Sequence, residues 1–221
     1  VIGAAVIEQG TSNGTVTDAD GKILSYHTSI ANAVAAITNT RSNPQGYIAL
    51  LRHTDETVTL PAGITLNLNG FTAANVSVPV ASVNGTSYTD IQEAIKAAAP
   101  SGTVEILSDV TVDKWIMFSE TLNIGSGQII TMSINGLTIN GNNKAITIKS
   151  IESASNGNRL FYDAKNLNIK DLTINCKDAA ANQGGIGLTS GTIENVTFNG
   201  GAGVFPGTGN ITIQDCTFKT N

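Results

Sequence analysis

Acidic and basic side chains that could carry out catalysis are sparse in this sequence, and most of them stand alone. Those near the predicted strands of the second half are the acids Asp163, Asp171, Asp178, Glu194 and Asp215 and the bases Arg159, Lys165, Lys170 and Lys177. Hydrolysis of a glycosidic bond requires two carboxyl groups across one cleft, and a lyase requires a base beside the sugar acid. The sequence contains no Asp-Asp pair, and no base has a distinctive neighbourhood, so no catalytic residue is predicted.

Asp171 and Asp215 stand at the same place in two repeats, directly before a four-residue strand motif, and Asn195 takes that place in a third repeat. Stacked repeats would align the three side chains as an outward polar column. One interpretation is an acidic strip that holds Ca²⁺ against an anionic glycan, because Ca²⁺ prefers oxygen ligands. The other is a solvated turn column without a ligand, which the sequence favours. Apart from this Ca²⁺ we predict no cofactor and no metal site.

Trp115 and Tyr162 are the aromatic candidates for stacking against a sugar ring. Trp115 begins a run of four large apolar residues, which favours a buried ring over an exposed platform. Tyr162 follows a predicted inserted loop at residues 153–159. The predicted ligand-contacting residues are therefore Trp115, Tyr162, Asp171 and Asp215.

The chain has two cysteines, Cys176 and Cys216, and two histidines, His27 and His53, that lie far from them in sequence. This spacing matches no zinc motif. Both cysteines stand in strand-like segments, and we expect them to be buried free thiols.

Four motifs of the form apolar-Thr-apolar-polar repeat through the second half, at residues 137–140, 172–175, 196–199 and 216–219. Their alternation predicts strands with the apolar residues facing inward. The central apolar residues are separated by 35, 24 and 20 residues, which suits the coils of a β-solenoid with one insertion at residues 153–159. Other expected features are tight turns at the glycine-rich residues 184–187 and 200–203 and a stack of Asn140, Asn175 and Asn199.

The first half contains the same opening unit twice. Apolar residues at helical spacing predict an amphipathic helix after Ser29 and another over residues 89–99, each followed by a strand and a Thr-rich segment. We therefore expect residues 1–80 to form a small α/β module that repeats the opening unit. Residues 81–221 are expected to form a parallel β-helix, with the helix over residues 89–99 as its N-terminal cap.

The segment from Val83 to Thr111, with Thr86-Ser87-Tyr88-Thr89-Asp90 before the helix, resembles the start of β-helix regions in large surface proteins of gut Gram-positive bacteria. Together with the repeats, it resembles the pectate-lyase-like superfamily over residues 83–221 and, more weakly, over residues 22–72. The resemblance implies a mainly β fold, a right-handed parallel β-helix with short N-terminal capping α-helices. It implies no single activity, because the superfamily includes lyases, hydrolases, adhesins and phage tailspikes.

Composition narrows the classes of partner. Only 13% of the residues are charged, the net charge is −5, and the 12 Lys and Arg residues are scattered. Nucleic-acid binding requires clustered basic residues, and a membrane-spanning helix requires about 20 apolar residues in a row. We therefore predict neither a nucleic-acid partner nor membrane insertion. Because the chain starts without Met and ends within a repeat, we expect a removed leader, C-terminal truncation, and further domains of a longer parent protein.

The function predicted from these features is a non-catalytic extracellular or cell-surface module, an adhesin or stalk that contacts a polysaccharide or a host or cell-wall glycan. The alternative is a polysaccharide lyase or glycoside hydrolase whose site lies partly outside this chain. Convergence of Asp171, Asp215 and a Lys or Arg in one groove would favour the enzyme. A third, purely structural role predicts no groove.

Overall fold

The computed structural model describes residues 2–7, 23–39, 46–61, 63–121, 129–152, 159–176 and 184–219. Within these ranges the protein is mainly β-structure, with 21 strands and two short α-helices. The chain divides into two compact units, Val1–Pro79 and Val80–Asn221. That residues 1–80 repeat the opening unit as an α/β module and that residues 81–221 form a capped parallel β-helix stays a prediction.

The first unit contains one helix and two small sheets among its described residues. Its elements are β1 (Ala4–Ile7), β2 (Ile23–His27), α1 (Ile30–Thr38), β3 (Gly46–Leu50), β4 (Val58–Thr59), β5 (Ile64–Asn67) and β6 (Val76–Ser77). One sheet has the strand order β2-β1-β3-β5, and β4 pairs with β6 in parallel. The predicted helix after Ser29 is confirmed, and the Ser29 hydroxyl accepts a hydrogen bond from the backbone N–H of Asn32.

The second unit begins with a similar order of elements and continues into longer strands. The opening elements are β7 (Ala81–Val83), β8 (Thr86–Tyr88), α2 (Ile91–Ala98), β9 (Thr103–Ile106) and β10 (Val110–Val112). The elements that follow are β11 (Trp115–Ser119), β12 (Ile129–Thr131), β13 (Thr138–Ile148), β14 (Ile151–Glu152), β15 (Phe161–Ala164), β16 (Leu167–Asn175), β17 (Gly185–Leu188), β18 (Gly191–Asn199), β19 (Gly203–Pro206), β20 (Ile211–Gln214) and β21 (Thr217–Lys219).

The second helix, α2, is the helix predicted near residues 89–99. The Asp90 carboxylate caps it by accepting hydrogen bonds from the backbone N–H groups of Gln92 and Glu93. Its buried face packs near β7, β8 and β9. Both units pair their opening strands alike, since β7 is antiparallel to β8 and β9 as β1 is to β2 and β3. That α2 protects one end of a solenoid stays a prediction.

Two sheets of the second unit pair the strands of successive repeats in parallel. In the first sheet, β13, β16, β18 and β20 follow one another, and β21 also pairs with β18. The second sheet has the order β12-β11-β15-β17-β19. Apolar side chains from both sheets share one core, in which Ile169 and Ile193 from the first sheet and Phe118 and Phe161 from the second are buried. Burial of this alternating apolar face is the main force that holds the sheets together.

The register of the first sheet differs from the predicted alignment. Ile139 of the first motif pairs with Ile169, whereas Ile174 of the second motif pairs with Ile146. The prediction that these two motifs stack directly on each other is therefore wrong. Strand β13 bends near Asn142, and its apolar residues alternate on both sides of the bend, so the sequence pattern alone fits either half.

The predicted inward direction of the apolar motif residues is confirmed for the first three motifs. The residues concerned are all buried: Leu137, Ile139, Leu172, Ile174, Val196 and Phe198. The prediction is wrong for Phe218 of the fourth motif, which is 52% exposed. Its ring is covered on one side, where it stacks on Phe198 with the centroids 5.1 Å apart.

An asparagine stack forms in part. Asn199 donates a side-chain hydrogen bond to Asn175 Oδ1 at 2.7 Å, and Asn175 donates one to Thr147 Oγ1 at 2.9 Å. The prediction is confirmed for these two asparagines and wrong for Asn140. Thr147 occupies the third place because it is the residue that pairs with Asn175.

The prediction of tight turns at the glycine-rich runs is confirmed for residues 200–202, which bend between β18 and β19, and wrong for residues 185–187, which lie in β17. Residues 185–188 form β17 and residues 203–206 form β19, and the two strands pair in parallel. A side chain on Gly185 would collide with the carbonyl oxygen of Gly203. These positions therefore require glycine for close approach of two backbones, whereas Gly184 and Gly200 do bend the chain at positive φ.

Candidate functional site

A cavity of about 330 Å³ opens on the second sheet of the second unit. We call it the arginine groove, and its lining includes Arg159, Tyr162, Asp163, Gly187, Thr189, Phe205 and Thr208. A volume of this size lies at the lower end of the range of about 300–1,000 Å³ that is usual for small-molecule sites. The groove is therefore large enough for a small molecule.

Strand alternation directs the aromatic side chains of the groove away from the core. Phe161 is buried and stacks on Phe118 with the ring centroids 5.7 Å apart. Tyr162 follows it on β15 and therefore lies on the opposite face of the sheet, where it is half-buried. Phe205 of β19, also half-buried, pairs with Gly187 of β17, the strand between β15 and β19.

Gly187 opens the space between the two aromatic residues. A Cβ at this position would lie 2.6 Å from the carbonyl oxygen of Phe161 and 2.9 Å from Cδ of Arg159. Any other residue would therefore displace the arginine side chain or the backbone of β15. The absent side chain leaves room for Arg159 to cross the sheet.

Arg159 lies over both aromatic rings. Its Cζ is 4.2 Å from the ring centroid of Phe205 and 4.9 Å from that of Tyr162. Contacts of this length attract a cation to the ring face and restrain the guanidinium. Its Nε is buried and has no hydrogen-bond partner, and no ion pair to Arg159 occurs within the described ranges. The guanidinium therefore keeps donors that no described protein group uses.

Asp163 lines the same cavity, but its carboxylate is already engaged. One oxygen accepts hydrogen bonds from the backbone N–H of Glu120 at 3.0 Å and from the Ser119 hydroxyl at 3.3 Å. The other accepts one from the backbone N–H of Thr121 at 3.0 Å. The carboxylate thus fixes the end of β11 beside the groove.

Trp115, predicted as a ligand-contacting residue with burial as the favoured alternative, is buried. Its side chain is 1% exposed, and its Nε1 donates a hydrogen bond to the carbonyl oxygen of Leu160 at 3.1 Å. The ring packs edge-on against Phe118. The structure therefore places this tryptophan in the core beneath the strands, and it offers no face to a sugar.

Asp171 and Asp215 lie on the first sheet, at its bend, together with Asn195. We call these three residues the corner column. All three have left-handed backbone conformations, with φ of 53°, 50° and 53° for Asp171, Asn195 and Asp215. The Asn195 amide donates a hydrogen bond to Asp171 Oδ1 at 2.8 Å. Asp and Asn tolerate this conformation better than most residues, which explains their presence at a repeated corner.

Of the four predicted site residues, the structure places Tyr162 alone in the groove, and neither Asp171 nor Asp215 lines it. Among the predicted basic candidates, Arg159 lies there, and Lys165 forms a surface ion pair with Glu120 at 3.3 Å. Lys177 and Asp178 lie outside the described residues, as does most of the predicted loop at residues 153–159.

The remaining observations concern the two cysteines and possible metal ligands. Both cysteines are free, and the prediction that they are buried is confirmed for Cys176 and wrong for Cys216, which is partly exposed. Burial raises the pKa of the Cys176 thiol to about 11. No three His, Cys, Asp or Glu side chains come together as a metal-binding group in the described ranges, and the Ca²⁺ interpretation stays a prediction. Neither described helix is long and apolar enough to cross a membrane.

Three features of the groove are not apparent in the sequence. Arg159 has no distinctive neighbourhood, Gly187 stands in a glycine-rich run that predicts a turn, and Phe205 belongs to no motif. The groove residues have no repeated motif, because each repeat contributes a different side chain at this place. An alignment of β15, β17 and β19 would have been needed to bring Tyr162 beside Phe205.

Comparisons of the chain with protein-family models, with curated proteins and with solved structures found no match.

Proposed function

We propose that the chain is a non-catalytic extracellular or cell-surface module that contacts a glycan through the arginine groove. The observation that carries the proposal is the pair of half-buried aromatic rings, Tyr162 and Phe205, beside a guanidinium in one open cavity. The ring surface that the guanidinium leaves exposed to the cavity suits the apolar C–H groups of a sugar, and a few polar groups around it suit the sugar's hydroxyls.

We also propose that the second unit is a right-handed parallel β-helix. Its support is the parallel pairing of successive repeats in two sheets that share one apolar core. The resemblance to the pectate-lyase-like superfamily agrees with this architecture. Such a stack of repeats gives a long lateral surface, which suits a stalk or adhesin that belongs to a longer surface protein.

A non-catalytic role is favoured over polysaccharide cleavage by the chemistry of the described groove lining. Asp163 is the one carboxylate among the described residues that line it. Both of its oxygens accept hydrogen bonds from residues 119–121, so this carboxylate holds structure instead of facing a second acid. The mechanism that uses paired carboxylates requires two free groups across the bond.

The test is co-sedimentation of the protein with insoluble plant, host and bacterial polysaccharides, followed by mass spectrometry of the soluble fraction, with and without Ca²⁺. We expect retention of the protein on at least one polysaccharide and no released oligosaccharide. Released oligosaccharides would contradict the non-catalytic role, and release that depends on Ca²⁺ would favour the lyase alternative.

Variants assign the binding to the groove. Tyr162→Ala and Phe205→Ala should each weaken retention, because each removes a stacking surface. Phe218→Ala is the matched control, since it removes an exposed aromatic ring of the same unit that does not line the groove. Equal losses for all three variants would contradict the proposed site.

A further inference from the structure

We infer that the ligand of the arginine groove is an acidic saccharide, whose carboxylate binds the Arg159 guanidinium while the sugar ring lies against Tyr162 or Phe205. This inference rests on the proposed function, because it assumes that the groove binds a glycan. It adds the chemical class of the ligand and names Arg159 as the residue that selects it.

Arg159 carries a positive charge that no described carboxylate balances. No described carboxylate forms an ion pair with Arg159, and its Nε has no hydrogen-bond partner. The acid beside it, Asp163, is held by Ser119, Glu120 and Thr121. A cation with free donors in a partly enclosed cavity is stabilised by an anion that enters from solvent.

The guanidinium of Arg159 is restrained by its contacts with two aromatic rings. Contacts with the rings of Tyr162 and Phe205 hold its plane, so little side-chain freedom is lost when a ligand binds. A planar guanidinium presents parallel N–H groups that match the two oxygens of a carboxylate. Lysine would supply the charge without this fork.

The guanidinium is surrounded by both polar and apolar groups. Thr189 and Thr208 provide hydroxyl groups in the same lining, and the aromatic rings provide the apolar surface that the guanidinium leaves exposed. A free inorganic anion would use the charge alone, whereas a sugar acid uses the charge, the hydroxyls and the rings together. Sulfated sugars share the anionic chemistry and are separated from sugar acids by the experiment below.

The net charge of the protein does not attract an acidic saccharide at long range. The net charge is −5, so a polyanionic glycan is repelled at distances where the charges act together. Selection of an acidic sugar must therefore come from local contacts with Arg159. Removing this one cation should abolish the preference for acid over neutral sugars.

The experiment is isothermal titration calorimetry with three carboxylated probes: an oligogalacturonate, a hyaluronan oligosaccharide and sialyllactose. Each has a neutral partner of the same ring structure, namely its carboxyl methyl ester. A sulfated galactan oligosaccharide is the anionic probe without a carboxylate. We expect at least one acid to bind about tenfold more tightly than its neutral partner and than the sulfated probe.

Three variants accompany the titrations, with circular dichroism as the check on folding. Arg159→Gln should remove the roughly tenfold preference for the acid, and the readout is the ratio of the affinities for the acid and for its neutral partner. Arg159→Lys keeps the charge and should restore only part of the preference, because it lacks the planar fork. Lys170→Gln is the control, since it removes one exposed positive charge on the first sheet.

The outcomes separate this inference from the proposed function. Equal binding of acids and neutral partners, unchanged in Arg159→Gln but lost in Tyr162→Ala, would overturn the inference and leave glycan contact in place. Tighter binding of the sulfated probe than of every acid would overturn the carboxylate assignment. Failure of every saccharide to bind the folded protein would overturn both.

Discussion

The corner column and the arginine groove lie on the two sheets of the same unit and use polar side chains in opposite ways. In the corner column, successive repeats place Asp171, Asn195 and Asp215 in one backbone conformation, and Asn195 bonds to Asp171. In the arginine groove, successive strands place Gly187 between the aromatic residues Tyr162 and Phe205. Repetition aligns polar side chains that can bond to one another, and its interruption by a glycine leaves a cavity.

This difference separates stability from recognition. A repeated polar residue can hydrogen-bond to the equivalent residue of the next repeat, which leaves fewer donors and acceptors for a ligand. A glycine between two aromatic residues leaves a gap that the fold does not fill by itself. We therefore expect substitutions in the corner column to change the free energy of unfolding, and outward-facing substitutions in the groove to change binding.

The largest expected effect comes from the core directly beneath the groove. Phe161→Ala should lower the free energy of unfolding by about 3–5 kcal/mol, because it removes a buried ring that stacks on Phe118. Its neighbour Tyr162→Ala should lower it much less and should weaken glycan retention instead. Chemical denaturation of both variants measures the difference. Equal destabilisation would contradict the assignment of the two residues to opposite faces of β15.

Gly187→Ala has the next largest expected effect, and it should change both the stability of the protein and its binding of a ligand. Gly187→Ala should lower the free energy of unfolding by about 1–3 kcal/mol, because its Cβ would press on Phe161 and on the Arg159 side chain. The same change should close the groove and weaken binding.

The control for this variant is Gly85→Asn, in the turn between β7 and β8. Gly85 has a φ of 81° and no atom within contact distance of an added Cβ, and asparagine tolerates positive φ. It should lose less stability than Gly187→Ala and keep full binding. A stable, fully binding Gly187→Ala protein would break the proposed link between the gap and the site.

In the corner column we expect an effect on stability alone. Asn195→Ala should lower the free energy of unfolding by about 2 kcal/mol, since it loses the hydrogen bond to Asp171 and strains a φ of 50°. Asn195→Gly should lower it by about 1 kcal/mol, because glycine accepts this conformation. Thermal unfolding compares the two, and both should bind glycans normally. Loss of binding in a folded Asn195→Gly protein would assign a ligand to the column.

The sequence predicted those parts of the fold that repeat. Both helices, the inward apolar residues of the first three motifs and the equivalence of Asp171, Asn195 and Asp215 followed from spacing and alternation. The register between the first two motifs could not be predicted from the sequence, because the apolar residues of β13 alternate on both sides of its bend. The groove could not be predicted either, since Arg159, Gly187 and Phe205 come together through pairing of strands that share no motif.

The most direct test of the account is chemical-shift mapping by nuclear magnetic resonance, with the oligogalacturonate, the hyaluronan oligosaccharide and sialyllactose each titrated into the labelled protein. The account predicts that the backbone amides of β15, β17 and β19 shift on addition of the probe that binds most tightly, together with the side-chain signals of Arg159. Amides of the corner column should keep their positions. Shifts confined to the corner column, with the groove unchanged, would contradict it.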